Sequence, residues 1–234
     1  MSDELRLRLR VVSAAEAALA DQQYVSAIDI YTRIGLLSPV HVEAWRQGRI
    51  DCLEPMIQGN PKKVSLTMEL FHNWAIEKGL KPCEIQYARH TRTGALALQF
   101  SPGGDPVIEA YYIRHYLAPG LSEHQQQQLT AKLSRAPEPV VFLILRDSAC
   151  SECGAELPHG SFLMVEGEKP LCVACAGLAD LVYLPAGDAG LTRRATKHSG
   201  RTFVVVRFSR SRGRYERQGI LVKESALERA GNSH

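Results

Sequence analysis

Over the first third of the chain, apolar residues recur at mixed spacings of three and four, the period of a helix that buries one face. Residues 4–20 and 23–34 read as two such helices, the second stopped at Gly35. Ser38-Pro39 offers an N-cap and a proline in the first turn, which predicts a short helix to about Gln47. Asn60-Pro61 repeats that signal before a longer helix to Lys78, closed by Gly79. On it Leu66, Leu70, Trp74 and Glu77 share a face, and Leu70, Phe71 and Trp74 are the expected core contacts. The period then shortens to two. Glu84–His90, Leu96–Phe100 and Val107–Tyr116 have strand composition, punctuated by turn residues at Thr93-Gly94 and Ser101–Asp105. Helices followed by a small antiparallel sheet predict a winged-helix-like arrangement. Ser122 then caps a helix to about Arg135, Ala136-Pro137-Glu138-Pro139 breaks it, and the short, wholly apolar run Val140–Leu145 predicts a buried strand. The run of glutamines at 125–128 falls on that helix as a solvated face.

Two cysteine pairs follow. Cys150 and Cys153 are spaced C-x2-C, as are Cys172 and Cys175, with 18 residues between the pairs. Two cysteines three positions apart on a tight turn can aim both sulfurs at one ion, and two such knuckles complete a tetrahedral sulfur site. Ser161–Glu166 and Lys169–Leu171 can form the intervening hairpin around Gly167. The expectation is a zinc ribbon with one structural Zn2+ per chain, iron being the main competitor at a four-sulfur site. Four protein ligands leave no open position for catalysis. Disulfides are disfavoured where no export signal is read, and a redox C-x2-C needs only one pair. Cys52 and Cys83 lie outside the pattern and are expected to be small buried apolar residues.

Charge changes the picture for the last segment. Residues 1–150 carry 16 basic and 16 acidic side chains, residues 151–192 carry 1 and 6, and residues 193–234 carry 11 and 3. Asp188 can cap a helix over Leu191–Ser199 that presents Arg193, Arg194, Lys197 and His198. Arg201 follows, then a strand Thr202–Phe208, a basic turn with Arg210, Arg212, Arg214, Tyr215 and Arg217, and a returning strand Gly219–Lys223. Alternation puts Phe203, Val205 and Arg207 on one strand face and Val204, Val206 and Phe208 on the other. Eight of the nine basic residues in 193–217 are arginine. A guanidinium forks onto phosphate oxygens and stacks on bases, whereas an ammonium is a point charge. Tyr215 offers a stacking surface, and Ser199, Ser209 and Ser211 offer donors to phosphate. Nucleic acid, DNA or RNA, is the expected partner. The alternative is a protein–protein adaptor docking an acidic partner.

Enzymatic readings are weaker. Lys197, His198, Arg201 and Tyr215 share the residue types of tyrosine recombinases, but the tyrosine is expected on a hairpin rather than a helix. No phosphate-loop, dinucleotide-binding, zinc-protease or nucleophile-elbow motif occurs. No catalytic residue is assigned. Arg89-His90 and Arg114-His115 read as cross-strand surface contacts. No apolar run approaches the ~18 residues of a membrane span. The opening MSDELRLRLR lacks the apolar segment of a secretory signal, so the cytoplasm is the expected compartment.

The stretch LPAGDAGLTRRATKHS…VVVRFSRSRGRYERQGILV resembles a bacterial family of uncharacterised proteins that carry a domain of unknown function beside a four-cysteine ribbon. The likeness extends through HVEAWRQGRIDCLEP, FHNWAIEKGLKP, ALQFSPGGDPVIE and YIRHYLAP, and so covers most of the chain. Cys150, Cys153, Cys172 and Cys175 match that family's knuckles residue by residue. The family has no established activity, so the resemblance implies no catalytic residues. Its longer members continue past the point matching Ala230 into a charged helix and a glycine- and arginine-rich tail, whereas this chain ends Gly231-Asn232-Ser233-His234. An activity held in that tail would be missing here. Together these readings predict an α+β protein with a helical N-terminal domain over 1–147, a zinc ribbon over 148–184 and a basic helix with a β-hairpin over 185–234.

Overall fold

The computed structural model describes residues 2–91 and 94–232, so Thr93 of the expected turn lies outside the described residues. The described residues form an α+β chain of helices, small antiparallel sheets and one mixed sheet. It divides into two compact units. The first comprises the chain up to Arg46, Ile50–Arg89 and Leu96–Ala136, and the second comprises Gln47–Arg49, His90–Ala95 and the chain from Pro137 onward.

The first unit opens with α1 (Asp3–Gln22), capped by the Ser2 hydroxyl, which accepts from the Leu5 amide. A three-residue strand β1 (Tyr24–Ser26) interrupts the expected second helix, which is therefore α2 (Ala27–Arg33). Ser26 and Asp29 cap it reciprocally, each side chain accepting from the other's backbone amide. Next come α3 (Pro39–Arg46) and α4 (Pro61–Glu77), the latter capped by Asn60 as its sequence signal predicts. Phe71 and Trp74 are buried on α4, and Leu70 is half-buried. Strand β2 (Lys81–Glu84), the hairpin β3 (Ala88–Thr91) and β4 (Gly94–Ala97), of which His90–Ala95 belongs to the second unit, α5 (Pro106–Ile113), β5 (Arg114–Leu117) and α6 (Glu123–Ser134) follow along the chain. The small sheet has the order β1-β5-β2, antiparallel throughout. Its last strand lies between the first two, a winged-helix-like order in which the β3–β4 hairpin and α5 stand between β2 and β5.

Three strand expectations are corrected. Leu96–Phe100 is strand only to Ala97, the end of β4. Val107–Tyr116 is mostly helix. The Asp105 carboxylate accepts from the Val107 and Ile108 amides, Pro106 sits in the first turn, and this cap outweighs the β-branched and aromatic composition that follows. Only Arg114–Leu117 is strand. Glu84–His90 is likewise not one strand, because pairing with β5 ends at Glu84 and a second strand starts at Ala88. Trp45, Tyr31, Phe71 and Phe100 fill the core, and the Trp45 indole N–H donates to the Gln99 carbonyl at 2.7 Å.

The second unit is built on β6 (Val140–Leu143), β7 (Ser148–Ala149), β8 (Glu156–Leu157), β9 (Phe162–Glu166), β10 (Lys169–Cys172), β11 (Leu181–Pro185), α7 (Ala189–Ser199), β12 (Phe203–Ser209), β13 (Arg214–Lys223) and α8 (Glu224–Gly231). Six strands join in one sheet, ordered β10-β9-β6-β12-β13-β11, in which only β6 and β12 run parallel. Apolar side chains leave both faces of β13. Leu221 joins Val141, Leu163, Leu171, Phe203 and Val205 on one side, and Ile220 and Val222 meet Leu184, Ala195 of α7 and Ala230 of α8 on the other. The sheet curls strongly enough that the rings of Phe162 in β9 and Tyr183 in β11, four strands apart, lie 5.1 Å from each other. Between β12 and β13 the register shifts. Val205 faces Gly219 but Val206 faces Arg217, so Gln218 bulges and its carbonyl accepts from the Tyr183 hydroxyl and the Ala186 amide.

Candidate metal centre and cationic surface

Each cysteine pair sits on a turn closed in the same way. The Gly154 amide donates to the Cys150 carbonyl, and the Ala176 amide donates to the Cys172 carbonyl, both at 2.9 Å. Gly154 takes φ 73°, a left-handed conformation that a side chain disfavours. The hairpin between the knuckles is β9–β10, turned at Gly167 and Glu168 as the sequence predicts, both at positive φ. These two turns bring Cys150, Cys153, Cys172 and Cys175 together, with all four sulfurs within 4.8 Å of one another. Cys153 Sγ and Cys172 Sγ are 3.8 Å apart. A tetrahedron of sulfurs ~2.3 Å from a central ion has edges of about 3.8 Å. A disulfide would need ~2.05 Å, and all six cysteines are free thiols.

The polar surroundings suit thiolates. The Cys172 amide donates to Cys150 Sγ and the Cys175 amide to Cys172 Sγ, each at 3.3 Å. Amides aimed at its sulfur, first that of Cys172, push the Cys150 thiol down to about 6. The neighbouring sulfurs of Cys153 and Cys172 push the Cys175 thiol the other way. Bare, the four sulfurs cannot all ionise so close together. A central cation would supply the missing charge. The cluster could therefore hold one metal ion with its coordination filled by protein. Cys52 and Cys83 are half-buried rather than fully buried, and burial raises the Cys83 thiol above its ordinary value.

The cationic segment forms helix α7 and the β12–β13 hairpin. Asp188 caps α7 through the Leu191 amide at 2.8 Å. Arg193, Lys197 and His198 are exposed on it. Arg194 is not free in the same way, because its Nε donates to the Ala230 carbonyl at 2.9 Å and so closes the last turn of α8. Arg201 donates to the Gly177 carbonyl at 3.2 Å and lies over the Phe203 ring. On the hairpin, Arg207, Arg210, Arg212, Arg214 and Arg217 are exposed. Glu216 takes Arg212 at 2.8 Å and Arg214 at 3.9 Å. Ser199 is a correction: it is buried and holds Lys223 N and Arg201 O, so its hydroxyl does not face a ligand. Ser209 and Ser211 stay at the hairpin end, 3.3 Å from each other.

Tyr215 is 44% exposed but not isolated. Its ring lies 5.2 Å from Phe142 and 5.3 Å from Phe208, and the Arg49 guanidinium sits 5.3 Å from its centroid. These ring neighbours are not the Lys197, His198 and Arg201 of the recombinase-like set. Hairpin register makes the Phe208–Tyr215 pair legible from sequence, but nothing local marks Arg49 or Phe142. Arg114-His115 also differs from its surface reading. His115 is fully buried, with Nε2 2.7 Å from the Tyr87 hydroxyl.

Comparison of the chain with protein-family models, curated proteins and solved structures found no match. Among the described residues, no helix is long and apolar enough to cross a membrane.

Proposed function

We propose that this chain is a zinc-stabilised protein that binds nucleic acid through α7 and the β12–β13 hairpin. The observation that carries this reading is the density of exposed guanidinium groups there: Arg193 on the helix and Arg207, Arg210, Arg212, Arg214 and Arg217 on the hairpin. Glu216 is the one acid in 193–217, and it reaches only two of those arginines. Polyanion binding gains from such a surface because each phosphate contact releases counterions. Zinc fits the donor set, since an all-thiolate tetrahedral site with no open position is its usual structural arrangement. Arg194 and Arg201 add charge from fixed positions, with Lys197 and His198 beside them. Membership of the bacterial family that the chain resembles and a cytoplasmic location belong to the same proposal, because a reducing compartment keeps the thiolates available to metal.

Two measurements test it. Metal analysis of reduced, folded protein is expected to find close to one zinc per chain. Cys153→Ser should lose that metal together with the cooperative melting of the second unit, because three ligands do not close a structural site. Retention of both would mean that the ligands are misassigned. Competition among duplex DNA, structured RNA and an acidic protein then separates the readings. Salt-dependent binding to either nucleic acid is expected, whereas binding to the acidic protein alone would establish the adaptor alternative.

A further inference from the structure

Beside the hairpin, the second unit contains a cavity of about 530 Å3, within the ~300–1,000 Å3 range of small-ligand sites. Phe142, Phe208 and Tyr215 line it, and Arg49, Arg146 and Arg210 stand around it. The rings come from different strands. Phe142 is on β6, Phe208 on β12 and Tyr215 on β13, and Tyr215 meets each phenylalanine at 67°. Non-parallel rings leave faces open, so a flat ligand can lie against one ring while the edges of the others close its sides. Phe208 and Tyr215, at the exposed end of the β12–β13 pair, are 39% and 44% exposed and leave apolar surface for a partner.

A guanidinium beside the rings adds a donor to the site. Arg49 lies 5.6 Å from the Phe142 ring and 5.3 Å from that of Tyr215. Its Nε is shielded from solvent and has no hydrogen-bond partner among the described residues. A buried donor without a partner costs stability, so a turn of the guanidinium toward an acceptor in the cavity would be favoured. Asp147 and Ser148, also on the lining, are of the kind that meets base edges, although one oxygen of Asp147 already accepts from the His159 amide at 2.7 Å. Aromatic faces, guanidinium planes and a few polar groups together describe recognition of an unstacked base.

We infer that this cavity takes one nucleobase from a single-stranded nucleic acid, stacked among Phe142, Phe208 and Tyr215, with Arg210 and Arg146 on the flanking phosphates. The inference rests on the nucleic-acid reading above and goes further by naming the strand state and the pocket. A base inside a duplex is stacked on its neighbours and cannot enter, so the preference should be for single strands.

The test is fluorescence anisotropy with a labelled twelve-nucleotide oligo-dT, its RNA counterpart oligo-U, and an abasic strand of equal length and charge. Stacking of one base is worth ~1–3 kcal/mol, so the wild-type chain should bind oligo-dT or oligo-U about 5- to 150-fold more tightly than the abasic strand. Phe208→Ala and Tyr215→Ala should each erase that ratio and leave the salt dependence unchanged. Arg49→Lys, which keeps the charge but removes the fork, should reduce the ratio as well. Arg210→Ala should instead weaken both strands equally and flatten the slope of log affinity against log salt by about 0.7. Zinc content and thermal melting of each variant establish that it is folded. Equal binding of the oligonucleotides and the abasic strand overturns the pocket and leaves the cationic surface standing. No binding to any of the three overturns both.

Discussion

At the scale of single residues, space and solvation decide more than charge. Gly219 does not occupy a left-handed conformation, so flexibility is not the reason for a glycine there. A Cβ built on it would fall 2.2 Å from the Leu184 carbonyl oxygen and 2.9 Å from Pro185 Cα, both atoms of the neighbouring strand's backbone. Gly219→Ala must therefore separate β11 from β13 at the bulge. It should cost about 1–3 kcal/mol in denaturant unfolding, the range for overpacking a tight site. His115 shows the other effect. Burial holds its imidazole below its ordinary value of 6.5. The neutral ring is fixed by two contacts, Nδ1 3.0 Å from the Ile113 carbonyl and Nε2 2.7 Å from the Tyr87 hydroxyl. With Nδ1–H donating to the carbonyl, Nε2 accepts from the phenol, and burial disfavours the charge that a second proton would bring. The unfolded chain takes up that proton first. The stability from neutral burial is thus fully present above about 6.5, the unfolded value, and is lost as pH falls through the lower folded value. Unfolding of the first unit followed between pH 7 and 5 should show this decline, and His115→Gln should flatten it.

At the scale of elements, caps and knuckles are local signals, and the sequence states them directly. Asn60, Ser122 and Asp188 cap the helices that their spacing predicts. The four cysteines converge because each pair is confined to its own turn. Asp105-Pro106 is the same kind of signal in front of a segment rich in valine, isoleucine and tyrosine, and there composition misleads. Asp105→Ala tests which force holds the helix. It removes the acceptor for two amides, at 2.8 and 3.3 Å, and should cost ~0.5–2 kcal/mol with a visible loss of helical dichroism. If stability is unchanged, α5 is held by packing of Tyr112 and Ile108 rather than by its cap. Elements fixed only by distant partners are the ones local pattern does not reveal. β1 is three residues long and exists because Val25 pairs with Tyr116, far along the chain. The parallel pairing of β6 with β12 joins segments on either side of the four-cysteine segment, and no residue in either announces the other. For the same reason Arg49 and Phe142, brought to Tyr215 from other parts of the chain, carry no mark in the sequence.

At the scale of the molecule, what matters is which arginines the fold leaves available. Composition treats the nine basic residues of 193–217 alike, but the fold sorts them. Arg194 closes α8 and Arg201 reaches the loop after the second knuckle, so substituting either disturbs structure as well as charge. Arg212 and Arg214 share Glu216. Arg193, Arg210 and Arg217 are exposed, which makes them the cleaner probes of the field. Replacing all three with glutamine should leave zinc content and melting unchanged. If each guanidinium contacts one phosphate, the slope of log affinity against log salt should fall by ~0.9 per contact on duplex DNA and ~0.7 on single strands, hence by about two to three in all. Arg194→Gln should behave in the opposite manner, lowering the melting temperature through the lost bond to the Ala230 carbonyl and moving the slope by no more than about one. A triple variant with unchanged slope would place the polyanion elsewhere on the chain, and the exposed hairpin would then be a solvated surface. A reduced slope with normal folding would identify this helix and hairpin as the surface that meets phosphate.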